Sequence, residues 1–169
     1  MKDKKYYILS YILVSALGVL LHFTYDWSGQ NKIVGLFSAT NESTWEHLKL
    51  IFFPMLLLTI WDLSKGRGKE DGYLQARVLG ILCGMATIVI SFYTLWGVLG
   101  RLYDWLNISL YFIGVYVAFW KERKLIGTDT GISKLNCIAS LIFIAGLFFY
   151  LSFDAPDVGI FYDLAKHPR

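Results

Sequence analysis

Two histidines and three carboxylates stand at the facing ends of the first two apolar tracts of the chain. His22 and Asp26 are four residues apart, and so are Glu42 and Glu46. In a helix that spacing puts each pair on one face, and His47 follows Glu46 about 100° further round. Imidazole and carboxylate together suit zinc or a similar first-row ion, and a catalytic site needs only three protein ligands and an open position. The pattern predicts a metal site made from His22, Asp26, Glu46 and His47, with Asn41, Glu42 and Lys49 as further ligand-binding groups. The function expected is binding of a divalent cation or small polar ligand at this site. Metal-dependent hydrolysis at the outer leaflet is the enzymatic alternative, and a transporter or scaffold role is another. No HExxH, G-x-S-x-G, phosphate loop, dinucleotide fingerprint or EF-hand loop occurs. Cys83 and Cys137 lie in separate apolar tracts and have neither zinc nor disulfide-framework spacing.

The same residues have structural uses. Ser43-Thr44-Trp45-Glu46 matches a capping box, in which Ser43 and Glu46 reciprocally satisfy each other's backbone N–H groups. Lys49 can pair with Glu46 or extend its methylenes toward the interface.

The elements that position this cluster are set by composition. Of 169 residues 56% are hydrophobic and only 17% charged, against roughly 25% charged in soluble domains. Apolar tracts at 6–25, 78–100 and 135–153 are each long enough to cross a bilayer, and 104–120 is a shorter one bounded by Trp105 and Trp120. Leu50 to Trp61 has 12 uncharged residues, about 18 Å of helix. To cross, that helix must extend outward through Lys49, His47 and Glu46, giving a span at 44–63 in which ionisable groups lie below the interface. Such groups normally face a bundle interior or a water-filled cavity. Pro54 removes one backbone donor from the same helix and favours a kink.

The expected fold is therefore all-α, a single polytopic bundle over 1–169 with five transmembrane helices. Lys and Arg set its orientation. With the N-terminus inside and the C-terminus outside, 11 of the 16 basic residues are cytoplasmic, including Lys2, Lys4, Lys5, Lys65, Arg67, Arg77 and Lys121; five, among them Arg101, Lys166 and Arg169, are outside. All three histidines, His167 included, then fall on the outer side. The six cytoplasmic carboxylates, Asp62 and Glu122 among them, are interleaved with Lys and Arg and read as solvated turn residues. A net charge of +3 argues against nucleic-acid binding and leaves the lipid bilayer of the cell membrane as the expected partner. Gly80 and Gly84 have GxxxG spacing, which serves helix contact within the chain or a homo-oligomer. The segments 28–40 and 154–164 each combine a turn with a short apolar piece and read as interfacial or re-entrant covers for the outer site.

The stretch His22-Phe-Thr-Tyr-Asp26-Trp-Ser-Gly, followed by Leu36-Phe-Ser-Ala-Thr-Asn41-Glu42-Ser43-Thr-Trp45-Glu46-His47-Leu-Lys49, resembles a family of small polytopic bacterial membrane proteins of unassigned function. The Asn-Glu-Ser-x-Trp-Glu-His-x-Lys run is the most specific part, and Phe153, Pro156, Phe161 and Asp163 resemble the family's ending. The resemblance implies the membrane class and picks out the same outer segment, with no substrate, cofactor or reaction attached.

Overall fold

The computed structural model describes residues 3–100 and 103–163, with the Asp104 side chain left aside. Lys2, Arg101, Lys166, His167 and Arg169, which enter the reading of sidedness, lie outside the described residues. Among the described residues there are six α-helices, two short 3-10 turns at 67–69 and 159–161, and no strand. Helix α1 is Lys4–Trp27, α2 Lys32–Gly35, α3 Thr44–Ser64, α4 Tyr73–Leu99, α5 Asp104–Leu125 and α6 Lys134–Leu151. Four of them, α1, α3, α4 and α6, are long and apolar enough to cross a bilayer. Their outward faces agree with a membrane setting. Large apolar side chains such as Ile90, Ile142 and Phe143 are about two-thirds exposed in the isolated chain, a pattern that water would penalise and lipid would not.

Four of the six helices start where short polar side chains satisfy free backbone donors. Asp3, Asn31, Ser43 and Ser133 each cap a helix by accepting from the backbone N–H two or three residues on. Two helices run past the apolar tracts that define them in the sequence. α4 begins at Tyr73 rather than near Val78, and α5 continues to Leu125 rather than stopping near Trp120. Arg77 and Glu122 are consequently inside helices, where they can reach neighbouring elements.

α3 is the central helix, with a fully buried face that includes Ile51, Phe52 and Met55. Around it pack α1, α4, the end of α6 and, more lightly, α5. The tightest contact is between α4 and α5. A Cβ added to Gly80 would sit 2.6 Å from the Ala118 carbonyl oxygen, and one added to Gly84 would sit 2.7 Å from that of Gly114. Both glycines of the GxxxG spacing are thus spent on packing inside this chain, and the close approach is what their missing side chains permit.

The contact of α1 with α3 uses a second close approach. Pro54 has no N–H for the Leu50 carbonyl one turn earlier. That carbonyl lies 2.5 Å from where a Cβ on Gly18 would be, and the Tyr111 hydroxyl of α5 stands 3.5 Å from it. The same hydroxyl is 3.1 Å from the Val14 carbonyl oxygen of α1. A proline-freed acceptor is thereby sheltered between three helices.

Candidate functional site

The C-terminal end of α1 and the N-terminal end of α3 are held together by the segment that joins them. Ser38 donates its hydroxyl proton to the Leu21 carbonyl and accepts from the Tyr25 N–H, a carbonyl and an N–H that stand four apart in the α1 ladder. Thr24 donates to the same hydroxyl. Phe37 packs edge-on against Phe53 of α3 and Phe149 of α6. The joining segment is therefore folded onto the bundle. The tail does the same from the other end, where Phe161 meets Trp45 with ring centroids 5.1 Å apart.

The first turn of α3 is then built on the polar run Asn41 to Glu46. Asn41 accepts from the Ser43 N–H at 2.9 Å, and Ser43 caps by accepting from the Glu46 N–H at 3.3 Å. Only this half of the capping box forms. Glu46 does not return to the Ser43 N–H, which Asn41 already occupies. One Glu46 oxygen, Oε2, instead accepts from the Thr40 N–H and hydroxyl, both at 2.8 Å, and pairs with Lys49 Nζ at 2.6 Å. Lys49 donates further to the Gly35 carbonyl and to the Ser152 hydroxyl, each at 2.8 Å. Its three ammonium protons are all engaged inside the protein. Glu46 and Lys49 are buried, and their pair fastens α3 to the joining segment and to the end of α6.

With Glu46 turned inward, a different carboxylate meets the histidines. Glu42 Oε1 is 3.7 Å from His22 Nε2, and Glu42 Oε2 is 3.4 Å from His47 Nε2. The imidazole centroids are 5.3 Å apart. One nitrogen from each histidine and one Glu42 oxygen lie within 4.8 Å of one another, the only such group of three among the described residues. His47 Nδ1 is 2.8 Å from the Ser43 carbonyl oxygen, which can only accept, so Nδ1 carries a proton and Nε2 faces Glu42. Glu42 itself is half-exposed. The hydrogen bond from His47 holds its carboxyl below the usual carboxylate range, against the opposing effect of partial burial and with help from the charges of His47 and His22.

The residues singled out in the sequence are thus divided by the fold. His22 and His47 come together with Glu42. Glu46 and Lys49 pair with each other away from that group, and Asn41 shapes the turn that carries Glu42. Asp26 is exposed one helical turn beyond His22, outside the three-residue group. Ser38, Thr40 and Ser152 position the site and carry no motif of their own. Ser38 and Ser152 stand out in the sequence only as polar side chains between apolar neighbours, and Thr40 only as the residue before Asn41.

The opposite end of the bundle holds charges that the sequence reading takes for solvated turn residues. Asp62 and Glu122 are buried instead. Arg77, also buried, donates to Glu122 Oε2 at 2.6 Å and Oε1 at 3.2 Å, and to Asp62 Oδ2 at 3.0 Å. Tyr73 donates to the same Asp62 oxygen at 2.9 Å, and Tyr6 also hydrogen-bonds to it. The physical reason for the correction is helix length. Arg77 and Glu122 lie about one turn inside α4 and α5, and there the guanidinium meets the carboxylates of Glu122 and Asp62.

Among known proteins, no curated protein and no solved structure gives a significant match. A family profile does, over residues 1–167, and its description is a family of unknown function, DUF6512. With the match covering nearly the whole length, the chain belongs to the DUF6512 family.

Proposed function

We propose that this protein is a five-span protein of the cell membrane, N-terminus inside, that binds a divalent cation of the zinc type at its outer face through His22, Glu42 and His47. The observation that carries the reading is the convergence of two imidazole nitrogens and a carboxylate oxygen within 4.8 Å. The donors come from α1, the joining segment and the first turn of α3. Three such donors are the set that zinc takes when a fourth position stays open for water or substrate. The Ser43 carbonyl supports the reading, because a ligating histidine commonly donates its other N–H to such a group. The fifth span is α5, 22 residues long. A cation there would also supply the Lewis acidity that the hydrolase alternative requires.

The transport alternative has less behind it. Between Lys49 and Thr59 α3 contributes only apolar side chains and Pro54, so this helix offers no polar path from the outer cluster to the inner one.

Protein purified without chelators and titrated with Zn²⁺, or with Co²⁺ as a spectroscopic probe, tests the reading. The expected result is one equivalent bound by the wild type, with binding lost in the His22→Ala/His47→Ala double variant. Near-zero metal in both proteins overturns it. A loss for Glu42→Gln together with normal binding by Asp26→Asn identifies the third ligand.

A further inference from the structure

On the side of the bundle away from the histidines, α1 and α3 leave between them a groove of about 730 Å³. Its walls are apolar along most of their length, with Leu9, Leu13 and Leu17 on α1 and Leu57, Leu58 and Trp61 on α3. From Leu17 to Tyr6 is 11 residues, about 16 Å of helix. That matches one leaflet, half of a hydrocarbon core roughly 30 Å thick. The groove therefore has the length and polarity of a lipid acyl chain.

Its polar end is not neutral. Lys65 and Arg67 line the mouth together with Tyr6 and Asp62. The aromatic rings hold both cations there: Lys65 Nζ is 4.7 Å from the Trp61 ring centroid, and the Arg67 guanidinium is 3.5 Å from that of Tyr6. Asp62 is shared between Arg77, through Oδ2, and Arg67, whose Nε stands 3.9 Å from Oδ1; the carboxylates of Asp62 and Glu122 face the three cations Arg77, Arg67 and Lys65, which leaves one positive charge in excess. The mouth keeps a positive surplus where an apolar slot meets the interface. Basic pockets between helices on the cytoplasmic side are suited to anionic headgroups.

We infer that this groove binds an anionic glycerophospholipid of the cytoplasmic leaflet, one acyl chain lying between Leu13 and Leu57 and the phosphate on Lys65 and Arg67. Zwitterionic phospholipid fits the same slot but gains less from the two cations. The site is separate from the outer cluster and does not depend on metal binding there, while its placement in the cytoplasmic leaflet rests on the orientation proposed above.

Trp61 in the groove wall is its own reporter. The detergent-solubilised full chain is titrated with bromine-labelled phosphatidylglycerol or phosphatidylcholine, and the quenching assigned to Trp61 is taken as the difference from Trp61→Phe. Phosphatidylglycerol is expected to half-quench at a mole fraction roughly tenfold below phosphatidylcholine. In Lys65→Ala/Arg67→Ala the two lipids become equivalent. The exposed Lys65→Gln variant, which gives up the cation–ring contact with Trp61 and leaves the buried core unchanged, narrows the difference by itself and decides the matter if the double variant does not fold. Equal quenching by both lipids in the wild type overturns the inference, as does an undiminished preference in Lys65→Gln and the double variant.

Discussion

At the scale of single residues, two carboxylates four apart in one short run have opposite fates. Glu42 points to the histidines and Glu46 to Lys49, although either could ligate a metal. The difference is that Glu46 lies on the buried face of α3, where an unpaired carboxylate is costly and Lys49 stands one turn on. Lys49→Met is expected to destabilise the protein by about 3–5 kcal/mol, because it leaves the Glu46 charge buried and alone. Adding Glu46→Gln should restore much of that loss, as thermal unfolding in detergent will show. Recovery separates a structural pair from a ligand-binding one. Glu42 supplies a pH signature in the metal-free protein. Its carboxyl is held below the unfolded value, so its contribution is complete above that value and is lost as pH falls through the folded one. Unfolding of the wild type should therefore show an acid loss of stability below about pH 4.3 that Glu42→Gln reduces.

At the scale of elements, the α4–α5 pair depends on glycines placed against backbone. At Gly84 a Cβ would meet the Gly114 carbonyl oxygen at 2.7 Å, and main chain cannot rotate away as a side-chain end can. Gly84→Ala should cost about 1–3 kcal/mol through overpacking. Gly97, in the same helix, has nothing within 4 Å of an added Cβ. Gly97→Ala should be neutral or stabilising by up to about 1 kcal/mol, since alanine favours helix. A matched fall in melting temperature for the two variants would refute the account of the α4–α5 contact. The ion network around Arg77 makes a parallel demand on element placement. It joins side chains from α1, α3, α4 and α5 on one guanidinium, so these helices must keep a common register at that end.

At the scale of the whole molecule, the proposed arrangement has a sidedness that can be read directly. In a background with Cys83 and Cys137 replaced by serine, Ser28→Cys should react with a membrane-impermeant maleimide on intact cells. Lys69→Cys should react only after the membrane is opened. The reverse pattern would invert the proposed orientation and put the metal cluster inside. The all-helical class and the long apolar helices were legible in the sequence, because a bilayer imposes length and polarity on every crossing helix and the apolar tracts record both. The tracts at 6–25, 44–63 and 135–153 lie almost wholly within α1, α3 and α6. The segment between α1 and α3 was also legible as the place where ionisable groups gather. What sequence spacing could not decide was which of them meet. Residues four apart share a face, but which face turns inward depends on how each helix is rotated in the packed bundle. Glu42 precedes the Ser43 cap and lies in the joining segment, so the helical spacing that would set it beside Glu46 does not apply, and the turn before α3 carries it to the histidines. Helix rotation buries Asp62, Arg77 and Glu122, whose partners are 15 and 45 residues apart in the chain. Charge type and approximate depth are local properties carried by the sequence alone, whereas pairing across helices is set only when their apolar and glycine surfaces have closed on one another.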